Sequence, residues 1–271
     1  MTFAAHCRHE THQLQQLLHA VGDRLQPGDV HALRAGSRHI QTILEFTSTS
    51  KRGCFQRFRN SLRRVGRRAG AVRDFDVLID RLASLAEQKD QRPLDALQSR
   101  LRHKRTSAVK KLLRVLDEER KPFFAGLARL QTTLTPPISR KSSTAWREKA
   151  AAQAVAELKI LAGWQELDGT ALHQFRIRIR NLRDTLQLDA SRYRALLRTL
   201  TAMKDALGEW HDWQLLMNLT QRQKWTAAAP FAEEVIRREQ EARAAAVRAA
   251  RDFQQAQRGR LRDSQSPVST G

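Results

Sequence analysis

Apolar residues recur at spacings of three and four along almost the whole chain, which is the period of helices packed on one face. Residues 3–25 set Leu14, Leu17, Leu18 and Val21 along one side. Pro27-Gly28-Asp29 interrupts that run, with Asp29 placed to cap the helix that follows. This second helix, Val30 to about Phe46, has Leu33, Ile40, Ile43 and Leu44 as its apolar side. Next, Phe55, Phe58, Leu62, Val65, Ala69 and Val72 form a seam flanked by Arg59, Arg63, Arg64, Arg67 and Arg68. A break near Gly70 is expected, after which Arg73-Asp74-Phe75-Asp76 opens a helix to about Leu85. KDQRP is a predicted loop. A long helix then runs from Leu94 to about Glu119, and Pro122 starts a shorter one.

LTPPISRKSST, residues 134–144, is the clearest linker. Beyond it the order of elements recurs. Trp146–Leu167 is a lead helix, Asp168-Gly169 turns the chain, and Leu172–Leu188 is the counterpart of the second helix. Arg192–Leu207 follows, Gly208-Glu209-Trp210-His211-Asp212 opens another helix, and a return helix covers about Phe231–Gln257. AGAVRD (69–74) matches LGEWHD (207–212). This points to an internal repeat with a period too long for a solenoid unit. The predicted organisation is an N-terminal bundle over 1–133, the linker 134–144, a C-terminal bundle over 145–258 and a disordered tail over 259–271. The fold class is all-α. Only 12 Gly and 7 Pro punctuate 271 residues, and alternating β-type runs are missing.

Charge adds the first functional constraint. Lys and Arg total 49 against 28 Asp and Glu, for a formal net charge of +21 and a pI near 11.3. Such a field selects polyanions: nucleic acid, an anionic membrane surface or a phosphate polymer. The guanidinium fork binds phosphate oxygens bidentately and sheds its hydration more readily than an ammonium. Cys7 and Cys54 lack CxxC partners, which excludes a disulfide framework and fits a reducing, cytoplasmic setting. No secretory signal and no membrane-spanning run is expected.

The excess charge is ordered. His31-x-x-Arg34-x-x-x-Arg38 lies on the second helix, and His173-x-x-Arg176-x-x-x-Arg180-x-x-Arg183 lies on its counterpart. At about 100° per residue, each set falls within a stripe roughly 80° wide. Each helix therefore presents a histidine with two or three guanidiniums on one face, as expected for a polyanion site built from two related halves. Between His31 and Gln41 there is no acid to neutralise the stripe. Arginines beside the histidines repel a cation, so no metal is expected there. Each imidazole is suited to donating a hydrogen bond to a phosphate oxygen, or to fixing a neighbouring helix. Asp74, Asp76 and Asp212 have the chemistry to hold Mg²⁺ for phosphoanhydride hydrolysis, but their placement predicts helix caps and first-turn acids instead. Trp164, Trp210 and Trp213 sit in apolar contexts and are predicted core, leaving no basic-aromatic surface for stacking single-stranded nucleic acid.

Taken together, His31/Arg34/Arg38, the LRRVGRRAGAVRDFDVL block, His173/Arg176/Arg180/Arg183 and the ALGEWHD block resemble the CHAD family, the conserved histidine α-helical domain. The resemblance spans about residues 10–255. His39 and Gln41 stand where that family adds basic residues, and His211 replaces the arginine of its Arg-Asp pair. The resemblance implies two helical bundles related by a pseudo-twofold axis with the stripes facing a shared basic cleft. It also implies binding of inorganic polyphosphate without catalysis, and association with polyphosphate granules. On this reading the polymer contacts His31, Arg34, Arg38, His173, Arg176, Arg180 and Arg183, with Arg63, Arg67, Arg73 and Lys204 as further candidates on neighbouring helices. No catalytic residue, cofactor or membrane partner is expected, and granule-associated proteins are a further class of partner. The alternatives are a nucleic-acid-binding basic protein and a Mg²⁺-dependent polyphosphate-processing enzyme.

Overall fold

A computed structural model describes residues 3–21, 25–46, 55–86, 92–134, 140–222 and 230–263. Among these residues there are eight helices and no strand: α1 Phe3–Ala20, α2 Pro27–Phe46, α3 Gln56–Ala86, α4 Arg92–Leu134, α5 Arg140–Gly163, α6 Gly169–Gln187, α7 Arg194–Arg222 and α8 Pro230–Asp263. They divide into two compact units, Met1–Arg147 and Glu148–Gly271. None is long and apolar enough to cross a membrane. The middle of the expected linker (135–139), most of the KDQRP loop, Cys54 and residues 264–271 of the expected tail lie outside the described residues. Residues 259–263 continue α8.

In the first unit α2 and α3 pack together, α3 pairs with α4, and α1 lies against α2 and α4. The predicted apolar sides of α2 and α3 are where the core forms: Leu33, Ile40, Ile43 and Leu44 of α2 are fully buried, as are Leu62, Val65, Ala69 and Val72 of α3, whereas on the first predicted side Leu14 is buried and Leu17, Leu18 and Val21 are half-buried. The start of α2 differs in detail from the expectation. Pro27 is the first helical residue, so Asp29 is the third, and its Oδ2 reaches back to accept the Gln26 N–H at 2.9 Å. This is half of a capping box rather than an N-cap.

The breaks expected at Gly70, Pro122 and Gly208 do not occur. α3 runs through Gly70, α4 through Pro122 and α7 through Gly208. In each case the buried seam continues past the breaker: Val72, Val77, Leu78, Leu82 and Leu85 in α3, Phe123, Leu127 and Leu130 in α4, and Trp210, Trp213 and Leu216 in α7. A helix-interior Gly costs about 1 kcal/mol and Pro about 3. Burying one large apolar side chain returns roughly 1.5–3 kcal/mol, so a continuous seam outweighs either residue. As a consequence Asp74, Asp76 and Asp212 lie inside helices and cap nothing. Asp76 is buried and accepts from Arg105 Nε of α4 at 2.5 Å, while Arg105 Nη2 also donates to the Leu25 carbonyl. This ion pair staples α3 to α4.

In the second unit α7 packs on both α6 and α8. Asp168 caps α6, accepting the Ala171 N–H at 2.7 Å. The open carbonyls at the end of α5 are satisfied from α8: Gln254 Nε2 donates to Leu161 and Trp164, and Arg258 Nε donates to Ala162. Trp210 and Trp213 are core, as expected, and Trp210 Nε1 donates to Glu239 of α8 at 2.9 Å. Trp164 is half-buried, edge-on to Phe175 with Arg178 over its ring.

Candidate functional site: two basic seams

The stripe of α2 lies where that helix meets α3, and two glycines set the spacing. A Cβ placed on Gly66 would lie 3.7 Å from Ser37 Cβ, and one on Gly70 would lie 3.6 Å from Arg34 Nε. Residue numbers fall along α2 as they rise along α3, so the helices are antiparallel, and the Gly66-x-x-x-Gly70 pair lets them approach closely. Gly70 leaves room for the Arg34 guanidinium. Continuing this register by one turn brings His31 level with Arg73 and Asp74. In the other direction it brings Arg38 level with the turn holding Arg63 and Arg67.

The helical period then sorts the arginines of α3. Arg63 and Arg67, both exposed, lie on the flank beside α2 and share its solvent face with His31, Arg34 and Arg38. No described carboxylate pairs with Arg63, Arg67 or Arg73. Arg64 turns the other way, its Nη2 donating to Glu118 at 2.7 Å and its Nη1 to Glu119, which also accepts from Ser61. His39, which extends the α2 stripe in the sequence, is bound through Nδ1 to Glu10 of α1 at 2.9 Å. It serves helix packing.

The second unit repeats the arrangement with different details. The His173 and His211 rings lie 5.2 Å apart, tilted by 44°, and Arg183 Nε donates to Thr201 Oγ1 at 3.4 Å. These contacts fix α6 antiparallel to α7 and bracket the seam. Lys204 is two turns from His211 on the same side of α7, level with Arg180. Arg176 falls level with Gly208, the counterpart of Gly70, where a Cβ would meet nothing within 4 Å. His173, Arg176, Arg180, Arg183 and Lys204 therefore line one seam.

The electrostatics of this seam are mixed. Burial lowers the His173 pKa below its ordinary value, and the charges of Arg176 and Arg180 lower it further. Arg183 is partly committed: its Nη1 lies 3.3 Å from Oδ1 of Asp184, a buried carboxylate at the inner edge of the stripe. Lys204 pairs on the surface with Asp205 at 2.6 Å. Arg178, outside the predicted set, faces α5 and donates through Nη1 to both oxygens of Glu157 at 3.0 and 2.8 Å. Among the described residues no cluster of three or more His, Cys, Asp or Glu could hold a metal ion.

Sequence reasoning did not anticipate Gly66 and Gly70 as the spacers of the first seam, although their i, i+4 spacing was visible. The contact of His211 with His173 joins two helices and carries no local sequence signal.

The described residues define an all-helical protein of two units, each with a basic helix face along a helix–helix junction. The CHAD domain family model matches residues 5–221, and the chain belongs to the CHAD family. Among solved structures, the CHAD domain from the plant Ricinus communis superposes with a TM-score of 0.70 at 22% identity, covering 94% of this chain and 90% of that one. PptA from Streptomyces chartreusis superposes at 0.56 with 17% identity, covering 94% and 97%. At these identities the likeness is one of fold. A comparison with curated proteins finds no sequence match.

Proposed function

We propose that this protein binds inorganic polyphosphate along its two basic seams without turning it over, and that binding attaches it to polyphosphate granules in the cytoplasm. The observation that carries the proposal is the alignment of guanidinium, imidazole and ammonium groups along one helix junction in each unit. His31, Arg34, Arg38, Arg63 and Arg67 gather at α2–α3, and His173, Arg176, Arg180, Arg183 and Lys204 at α6–α7. Arg73 stands beside the first set. Membership of the CHAD family supports inorganic polyphosphate as the anion. Each unit has the same order of lead helix, stripe helix, glycine-containing helix and return helix, which supports descent by internal duplication.

The mechanism is charge neutralisation with charge-assisted hydrogen bonding. Such bonds contribute roughly 1.5–3 kcal/mol each before desolvation and ordering costs. A flexible phosphate chain needs donors repeated along a line, with no base pockets. Burial of Trp210 and Trp213 takes away stacking surface that a single-stranded nucleic acid would use. The pairing of Asp76 with Arg105 makes that carboxylate a structural group rather than a Mg²⁺ ligand, which supports a non-catalytic role.

A pair of double variants tests this. Arg176→Ala with Arg180→Ala should weaken binding of long-chain polyphosphate by roughly ten- to hundredfold, since two charged contacts are lost. Arg260→Ala with Arg262→Ala removes the same charge near the C-terminus and should cost about threefold or less. Circular dichroism shows whether both remain helical. Equal losses from the two would mean a diffuse field and would remove the seam as a site. Phosphate release that depends on Mg²⁺ would overturn the non-catalytic reading.

A further inference from the structure

The two lead helices, α1 and α5, differ on their exposed sides. α1 buries Cys7, Thr11 and Leu14 and exposes Arg8, His9, His12, Gln13, Gln16 and His19, all polar. α5 buries Trp146, Ala150, Ala154 and Leu161. Opposite them it exposes Glu148, Ala152, Val155, Ala156 and Lys159, which share an arc of about 100° around the helix. Ile160 lies at the edge of that arc. Among the described residues three large apolar side chains are exposed, and two of them, Val155 at 49% and Ile160 at 42%, are on α5. A single exposed valine needs no explanation, whereas an apolar row along one helix face does. The polar outer side of α1 shows that a lead helix does not require such a row.

The ends of the row carry opposite charges. Glu148 and Lys159 are exposed, and neither pairs with a described residue. They stand about 16 Å apart along the axis, on the same line of the face. Two copies of α5 laid antiparallel, with a twofold axis between residues 153 and 154, bring Glu148 of each copy level with Lys159 of the other. The same register sets Ala152 against Val155, and the small side chains of Ala152 and Ala156 let the helix axes approach to about 8 Å. The face therefore complements itself in both shape and charge. An anionic surface would gain Lys159 but repel Glu148.

We infer that this face of α5 docks on the same face of a second copy of the chain, as an isologous antiparallel helix pair. The contact uses no residue of either basic seam and stands independently of polyphosphate binding. One helix face is a small interface, so the dimer is a weak one, with a dissociation constant on the order of micromolar to tens of micromolar.

The test is sedimentation equilibrium of the full chain in about 0.3 M salt, where repulsion between two chains of charge +21 is screened. The chain should pass from monomer to dimer across the micromolar range. Val155→Glu, at an exposed position, should weaken the dimer at least about tenfold with helical dichroism unchanged. Lys159→Glu sets two carboxylates level across the axis, and Glu148→Lys sets two ammonium groups so. Each should weaken the dimer about three- to tenfold, and combining the two should restore it to within about twofold. A chain that stays monomeric to about 100 μM would overturn the inference. So would a dimer indifferent to Val155→Glu, which would place the contact on another face. A double swap no better than either single one would also overturn the antiparallel register. A monomer that binds anionic phosphatidylglycerol vesicles, and loses them on Val155→Glu, would give the face to a membrane surface instead.

Discussion

His173 concentrates the chemistry of the second seam. Burial and the neighbouring Arg176 and Arg180 charges hold its pKa below the ordinary 6.5, so the imidazole is neutral at pH 7 in the free protein. Phosphate oxygens placed beside it favour the charged form and raise that pKa. The complex therefore holds a proton that the free protein lacks, in the window between the lowered and the raised value. Polyphosphate affinity should rise as pH falls from about 7 to about 5.5. Calorimetry in buffers of different ionisation enthalpy should record proton uptake, and His173→Gln should flatten the profile. An affinity indifferent to pH, with no proton uptake, would contradict this. Folding carries the opposite sign: a base with a depressed native pKa lets the unfolded chain bind more protons below 6.5, so this residue's contribution to stability falls as pH falls through that range. Much at this scale was legible in the sequence, because histidine–arginine spacing on one helix is local information. The commitments of Arg64, Arg178 and His39 were not, because their partners Glu118, Glu119, Glu157 and Glu10 lie on other helices.

The helices themselves explain where pattern reading succeeded and where it stopped. Period and burial agree along α2 and α3, since every apolar residue assigned to those faces is buried. Propensity predicts breaks at Gly70, Pro122 and Gly208 because it is a local preference, whereas the seam that overrides it is assembled by neighbouring helices. Two glycines separate these effects experimentally. Gly126→Ala drives a methyl into Phe58 and should lower stability by about 1–3 kcal/mol in urea denaturation. Gly208→Ala meets nothing within 4 Å and should be neutral or stabilising by up to about 1 kcal/mol. The α3–α4 staple makes a third case. Asp76→Ala strands Arg105 near the core, and a loss of about 3 kcal/mol is expected, with polyphosphate affinity of the folded protein unchanged. A mild stability effect together with lost binding would instead give Asp76 a role in the site.

For the whole molecule, charge is the main quantity and the repeated order of helices is its organisation. A net charge of +21 attracts any polyanion, so attraction alone has little value as a discriminator. What separates a polymer site from a general field is its response to length and ionic strength. Counterion release makes affinity fall steeply with salt for every polyanion. A chain long enough to occupy both seams gains an intramolecular second contact that a short one cannot make. The most direct measurement is therefore a binding titration with polyphosphates of defined length, set against duplex DNA and RNA at equal phosphate concentration and at several ionic strengths. The prediction is that affinity climbs with polyphosphate length and that long polyphosphate outcompetes both nucleic acids at every salt concentration. Displacement of long polyphosphate by DNA or RNA at equal phosphate concentration would contradict the assignment.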